Sequence, residues 1–235
     1  MKKKQLILSL EDESAFEEKL PAIVPLVFSE FKNKIEAECY FGVYDVVRAF
    51  LSEERNNLFS RESLAELNAR LIPYLEKEGY ARDGGIYRFY RSFVMWSKKQ
   101  LDETVIRPDS LILSEKTAAR VKKNRTDFDL SELLSQGCEA CMSVKRGELL
   151  SIACVNVHSE GQRLLEAAVY TLPEARGKGY GSSNVALLCR TLLQKKKGVV
   201  YCCSCRNRPS IALAKAVGFK EESRFYAVDA YKIEE

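Results

Sequence analysis

Residues 172–181 read LPEARGKGYG. Gly177, Gly179 and Gly181 occupy alternate positions, Arg176 precedes them and a long apolar helical pattern follows. Glycine loses more backbone freedom on folding than any other residue, so three in such a short stretch need a physical reason. A strand, a glycine loop and a helix N-terminus in that order present free N–H groups to an anion. Glycine also lets the backbone come close to a phosphate. The competing reading is a mobile turn. Spacing removes two nucleotide loops. A Walker loop needs Ser or Thr after Gly-Lys, whereas Gly179 follows Lys178. A dinucleotide fingerprint is G-x-G-x-x-G near the start of a βαβ unit, whereas this chain has G-x-G-x-G late in its length.

The elements that must position such a loop follow from periodicity. The first hundred residues read as mainly helical. Val46, Val47, Phe50 and Leu51 share a helical face within residues 37–54. Ser60 opens a second helix as a cap, Leu64, Leu67, Leu71 and Leu75 form its stripe, Pro73 interrupts it and Gly79 ends it. Asp83-Gly84-Gly85 signals a turn between aromatic stretches. Residues 98–110 are polar and end in a Pro-Asp turn, which sets the expected boundary between domains at 1–105 and 106–235. Beyond it strands and helices alternate in the order β-αα-β-β-β-loop-α-β-α-β. The glycine loop follows the strand 163–172 and precedes a helix from about Gly181 to Gln194. "VVYCCSC" at 199–205 is a buried-type strand. A strand feeding a helix and then a neighbouring strand demands at least one parallel pair.

"VYTLPEARGKGYG" resembles the acetyl-CoA loop of the GNAT N-acetyltransferase superfamily, whose Gln/Arg-x-x-Gly-x-Gly/Ala pattern Arg176, Gly179 and Gly181 match. "CRNRPSIALAKAVGF" resembles that family's second motif through Asn207, Ser210, Gly218 and Phe219. The two motifs stand in order, one helix and one strand apart. The resemblance spans about residues 109–235 and does not reach the first hundred.

The resemblance implies a mixed, mostly antiparallel α/β sheet with a splayed parallel pair at the cofactor site and flanking helices, preceded by a mainly helical N-terminal domain. It implies acetyl transfer from acetyl-CoA directly to an amine of a small molecule, peptide or protein. Backbone groups near Thr171 and Leu172 would pair with the pantetheine arm. Arg176, Gly177, Lys178, Gly179, Tyr180, Gly181 and Ser182 would bind the pyrophosphate, with Asn207 and Ser210 on the other side. An ammonium with a pKa of about 10 must lose its proton before it attacks, so a general base is needed. Glu166, ten residues before Arg176, is the candidate. The family's usual tyrosine acid is replaced by Ala214, and the substitute is Tyr226 on the last strand or solvent, since a thiolate is a tolerable leaving group. The alternative function is a non-catalytic acyl-CoA-binding or sensing module, which the missing tyrosine favours. The N-terminal part would line the acceptor site or form an oligomer contact, such as that of a homodimer.

The remaining features narrow the class. The chain has 235 residues, 46% of them hydrophobic, a net charge of +4 and short, scattered basic runs, so nucleic acid is not an expected partner. No window reaches about 18 apolar residues, and the apolar stretch after Met1 is too short for a signal peptide, so a cytoplasmic protein with no membrane partner is expected. Cys138-x-x-Cys141 and Cys203-x-Cys205 suggest zinc. In the implied sheet they stand three strands apart, about 14 Å, against a zinc–sulfur bond of about 2.3 Å, so no metal is expected. Cys154, Cys189, Cys202 and Cys203 read as small core residues. His158, the sole histidine, reads as structural.

Overall fold

The computed structural model describes residues 5–10, 22–31, 34–53, 58–81, 88–156 and 163–233. The chain divides into two compact units, 1–91 together with 223–235, and 92–222. His158 and the Asp83-Gly84-Gly85 signal lie outside the described residues.

Among the described residues the first unit is not mainly helical. It holds strands β1 (Gln5–Leu10), β2 (Ala22–Phe31) and β3 (Lys34–Cys39), then helices α1 (Tyr44–Ser52) and α2 (Arg61–Lys77) and the short strand β4 (Tyr80–Ala81). β1 runs parallel to β3, and β2 pairs antiparallel with β3. Residues 37–39 begin the expected first helix but form the end of β3, where Ala37 and Cys39 are buried and Glu36 and Glu38 are exposed. That alternation has period two, and it prevails over helix propensity once a sheet face is covered. The second helix matches its reading. The Ser60 side chain accepts from the Ser63 N–H at 3.1 Å, and Leu64, Leu67, Leu71 and Leu75 are all buried. Pro73 lies inside this helix.

The boundary also differs from the expected 105/106. The last strand, β11 (Lys220–Lys232), pairs antiparallel with β2 from Ser223↔Phe31 to Tyr231↔Ala22. The chain's end therefore completes the first unit, a pairing across about two hundred residues that no local pattern announces. Residues 92–105 belong to the second unit. The Asp102 N–H donates to the Val217 carbonyl at 3.0 Å, and a Cβ on Gly218 would fall 1.9 Å from the Gln100 carbonyl oxygen.

The second unit is a mixed α/β layer structure. Its elements are the end of β5 (Arg88–Met95), β6 (Ser110–Ile112), α3 (Glu115–Ala118), α4 (Leu130–Ser135), β7 (Ala140–Lys145), β8 (Glu148–Val155), β9 (Leu164–Thr171), α5 (Tyr180–Gln194), β10 (Gly198–Ser204) and α6 (Arg208–Val217). From β6 onward this is the order read from the sequence. The strands stand in the order β5-β10-β9-β8-β7-β6. The β6–β7, β7–β8 and β8–β9 pairs are antiparallel, and β9–β10 is parallel. Alternation along each strand feeds two cores. Cys141, Ala153, Val155, Leu165, Ala167 and Val199 face α5 and α6. Met142, Ile152, Cys154, Ala168 and Tyr170 face the segment of α3 and α4. None of the described helices is long and apolar enough to cross a membrane.

Candidate functional site

The parallel pair is short. Gly198↔Leu164, Val199↔Leu165 and Val200↔Glu166 are in register, although β9 continues to Thr171 and β10 to Ser204. Beyond Glu166 the two strands part, and residues 167–171 keep a strand partner only on the β8 side. The glycine loop begins at the end of that unpaired edge.

Each glycine has its own reason. Gly177 (φ +72°) and Gly179 (φ +81°) are left-handed, and a Cβ on either would meet nothing within 4 Å. They are required by conformation, since other L-residues lose about 1–2 kcal/mol there. Gly181 is helical, and a Cβ on it would fall 3.0 Å from Thr171 Oγ1 and 3.3 Å from Leu213 Cδ1. It lets α5 lie close on β9. Gly179 caps α5 without a side-chain hydrogen bond, and the helix's first amide bond runs from Ser183 N–H to the Gly179 carbonyl. The amides of Tyr180, Gly181 and Ser182 precede that bond. They form an N-terminal cradle on a 15-residue helix.

The surrounding side chains hold the loop rather than fill it. Arg176 is exposed, and its Nε donates to the Thr171 carbonyl at 3.1 Å. Lys178 Nζ donates to the Glu174 carbonyl at 2.8 Å. Glu174 pairs with Arg125, which also donates to Glu148 at 2.8 Å. Tyr180 is buried with Leu172 and Ala175, so it offers the loop its backbone only. The Leu172 N–H donates to the Leu150 carbonyl at 2.9 Å and its carbonyl accepts from Ala175 at 2.8 Å, so the N–H is taken within the fold and the carbonyl keeps one lone pair.

Beneath the loop lies a buried polar chain that sequence reasoning missed. Ser143, Ser151, Ser183 and Asn184 are at most 1% exposed. Arg107 N–H donates to Ser183 Oγ at 2.7 Å. Ser183 and Ser110 hydroxyls meet at 2.7 Å, and Ser110 and Ser143 donate to Asn184 Oδ1 at 2.8 and 2.9 Å. Asn184 Nδ2 donates to the Ser151 carbonyl at 3.1 Å. Ser151 Oγ donates to the Tyr170 carbonyl at 2.9 Å, which leaves Thr171 Oγ1 as the donor across its 2.8 Å contact with Ser151. One proton per hydroxyl supplies each of these bonds, and the remaining 3.3 Å approach of the Ser110 and Ser143 hydroxyls is left without a proton of its own. The available signal was the polar triplet Ser182-Ser183-Asn184 at the head of an apolar helix. In the structure Ser183 and Asn184 point inward.

Glu166 sits at the last paired position, half-buried. Asn156 Nδ2 donates to its Oε2 at 3.2 Å. The Cys202 thiol, on β10, hydrogen-bonds to Glu166 and to Ser92, and burial followed by the Glu166 charge pushes this thiol up to about 11. Asn207 Oδ1 caps α6 by accepting from Ser210 N–H at 3.1 Å. The Ser210 side chain hydrogen-bonds to the buried Tyr201. Ala214 is fully buried in the α5–α6 core.

Tyr226 is placed otherwise than expected. It belongs to the first unit, is fully buried, and donates to Asn68 Oδ1 at 2.5 Å. A phenol enclosed in that core is a packing group, and the acid role given to it is withdrawn. Cys138 lies just before β7 and Cys141 on it, Cys203 lies on β10 and Cys205 just after it, and the two strands are three steps apart. The Cys138 thiol instead donates to the Val155 carbonyl at 3.3 Å. Among the described residues no group of three or more His, Cys, Asp or Glu side chains is placed to hold a metal.

Residues 144–228 match the family model described as FR47-like protein. The match contains the parallel pair, the glycine loop, α5 and α6. No curated protein matches the chain significantly. Among solved structures, a GCN5-related N-acetyltransferase-like protein from Streptococcus suis is 14% identical, covers 73% of this chain and 68% of its own, and has a TM-score of 0.46. A GNAT-family acetyltransferase from Colwellia psychrerythraea is 12% identical over 61% and 57%, with a TM-score of 0.46. A ribosomal-protein-alanine N-acetyltransferase from Brucella melitensis is 20% identical over 43% and 79%, with a TM-score of 0.36.

Proposed function

We propose that the protein binds acetyl-CoA in the split between β9 and β10 and transfers the acetyl group to an amine. The observation that carries this reading is the adjacency of two features. The parallel strands part after Glu166, and the β9 edge left open leads into a loop whose next helix begins with uncapped amides. A pantetheine arm needs an unpaired strand edge, and a diphosphate needs an amide cradle.

In this mechanism the open edge of β9 over 167–171 pairs with the pantetheine amides. The amides of residues 180–182 take the diphosphate, with Arg176 and Lys178 adding positive charge. The Thr171 carbonyl accepts from Arg176 Nε on one lone pair and offers the other to the arm. Glu166, fixed by Asn156 and Cys202, accepts the proton of the attacking ammonium, directly or through water. The free amine adds to the thioester carbonyl, its nitrogen gives up its second proton to solvent, the C–S bond breaks, and the electron pair leaves on sulfur. Solvent protonates the thiolate, because Ala214 carries no acidic proton and Tyr226 is enclosed in the first unit. Asn207 and Ser210 shape the start of α6 beside the cleft. The homodimer and the cytoplasmic setting remain part of this proposal.

The second reading, acyl-CoA binding without turnover, draws on Ala214, whose burial in the α5–α6 core leaves that position without a donor. Calorimetry with acetyl-CoA, followed by thiol release across a panel of amines, tests both. Binding with release of free CoA supports transfer. Binding without release supports the sensing module, and absence of binding overturns both.

A further inference from the structure

The segment 98–110 reads in the sequence as a linker, and the family match begins only at residue 144. Its Arg107 nevertheless makes three different contacts with the glycine loop and the helix that follows. The backbone N–H donates to Ser183 Oγ at 2.7 Å. Nη1 donates to the Lys178 carbonyl at 3.2 Å. The guanidinium lies over the Tyr180 ring, 4.5 Å from its centroid. Asp109 holds the other side of the fork, accepting from Nε at 2.9 Å and from Nη2 at 3.2 Å.

We infer that Arg107 is the positioning residue that sets the glycine loop in its anion-binding form, an inference that rests on the acyl-CoA reading above. Gly177 and Gly179 are left-handed and would meet no neighbour even with a Cβ. Their own side positions therefore do not fix the loop's conformation, and besides the bonds of Arg176 to Thr171 and Lys178 to Glu174, Arg107 is the contact that reaches a loop backbone carbonyl from outside the loop. The Lys178–Gly179 peptide is the hinge of the turn into α5. With its carbonyl held on Arg107, planarity of the trans peptide turns the Gly179 N–H to the opposite side, away from the guanidinium. The same residue anchors the first turn of α5 through Ser183 and Tyr180. Asp109 leaves Nη1 one direction to point. The backbone bond to Ser183 persists in any variant, but lysine carries a single rotatable ammonium with no fork and no planar face, so it cannot make the Lys178, Tyr180 and Asp109 contacts together.

The test uses the full chain with Arg107→Ala, Arg107→Lys and Asp109→Asn, and two ligands, coenzyme A and pantetheine, which lacks the diphosphate. The expected result is a loss of about tenfold in coenzyme A affinity for Arg107→Ala, with Arg107→Lys failing to restore it and Asp109→Asn intermediate. Pantetheine affinity stays within twofold of wild type, and kcat changes less than KM for acetyl-CoA. Equal losses for both ligands, or full restoration by lysine, overturn the assignment. So does unchanged coenzyme A affinity in Arg107→Ala. A wild-type protein that binds neither ligand refutes the acyl-CoA reading itself, which separates the two failures.

Discussion

Gly181 faces Thr171 so closely that a Cβ on the glycine would stand 3.0 Å from the threonine Oγ1. That oxygen is not free to retreat, because it donates to Ser151 Oγ at 2.8 Å. In an ordinary helix Gly→Ala gains about 0.5–1 kcal/mol. Here the gain is expected to be cancelled or reversed. Thermal unfolding of Gly181→Ala, Thr171→Ala and the double variant checks this. The double variant should be more stable than the sum of the single effects, since removing Oγ1 opens the space. Strict additivity would refute the contact.

Asn184 joins Ser110, Ser143 and Ser151 in the buried chain under the loop. Asn184→Leu keeps the volume but leaves two hydroxyls without their acceptor and a carbonyl without its donor. The expected loss is about 3 kcal/mol, because each buried polar group left unmatched costs about 1–3 kcal/mol. The urea midpoint measures it, and a loss below about 1 kcal/mol would show that water replaces the amide.

Buried thiols give the fold an alkaline weakness. Burial first raises Cys141 to about 12 and Cys202 to about 11, and it raises Cys189 further. The folded state therefore holds these protons while the unfolded chain releases them. The stability is fully present below the ordinary thiol range near 9 and is lost as pH rises from there toward 11. Each thiol contributes about 1.4 kcal/mol per pH unit to that fall. Urea midpoints at pH 8, 9 and 10 should decline progressively, and Cys202→Ser should flatten the decline. A flat profile in the wild type would contradict the burial.

How far the sequence could be read follows from the range of the interactions. Leu64, Leu67, Leu71 and Leu75 and the Ser60 cap were legible because their spacing and their contacts lie within one helix. The order from β6 to α6 was legible because strand and helix periods differ. The strands of the first unit were not, since Glu36 and Glu38 alternate with buried residues only when a partner strand and a covering layer exist. The loop glycines were legible as a feature, but their reasons were not. Two serve positive φ and the third serves contact with Thr171. Arg107 and Asn184 were missed because a polar residue in a turn or a first helical turn reads as solvated until its partners on other elements are known.

Tyr226 donates to Asn68 Oδ1, whose own Nδ2 has no hydrogen-bond partner. Tyr226→Phe leaves the whole Asn68 amide unmatched in a closed core. A loss of about 1–3 kcal/mol in stability is expected, with kcat unchanged. Denaturation and steady-state rates measured on one preparation decide it. A large fall in kcat at full stability would restore the tyrosine to the chemistry.

Glu166 marks the position where β9 and β10 cease to pair, and it is bound there by Asn156 and the Cys202 thiol. Glu166→Gln preserves the shape and removes the basic oxygen. As the general base of amine deprotonation it should account for a fall in kcat of about 10²-fold or more. The pH profile gives the sharper readout. Without a base, the variant can use only amine that is already neutral, so its rate should rise about tenfold per pH unit toward the amine's own pKa near 10. The wild type should reach its plateau at lower pH. Acetyl-CoA affinity should change little, since the carboxylate lies at the start of the split and the phosphate cradle lies beyond the far end of β9. A variant within threefold of wild type at pH 7, with a parallel profile, would remove Glu166 from the reaction and leave it a strand carboxylate held by its neighbours.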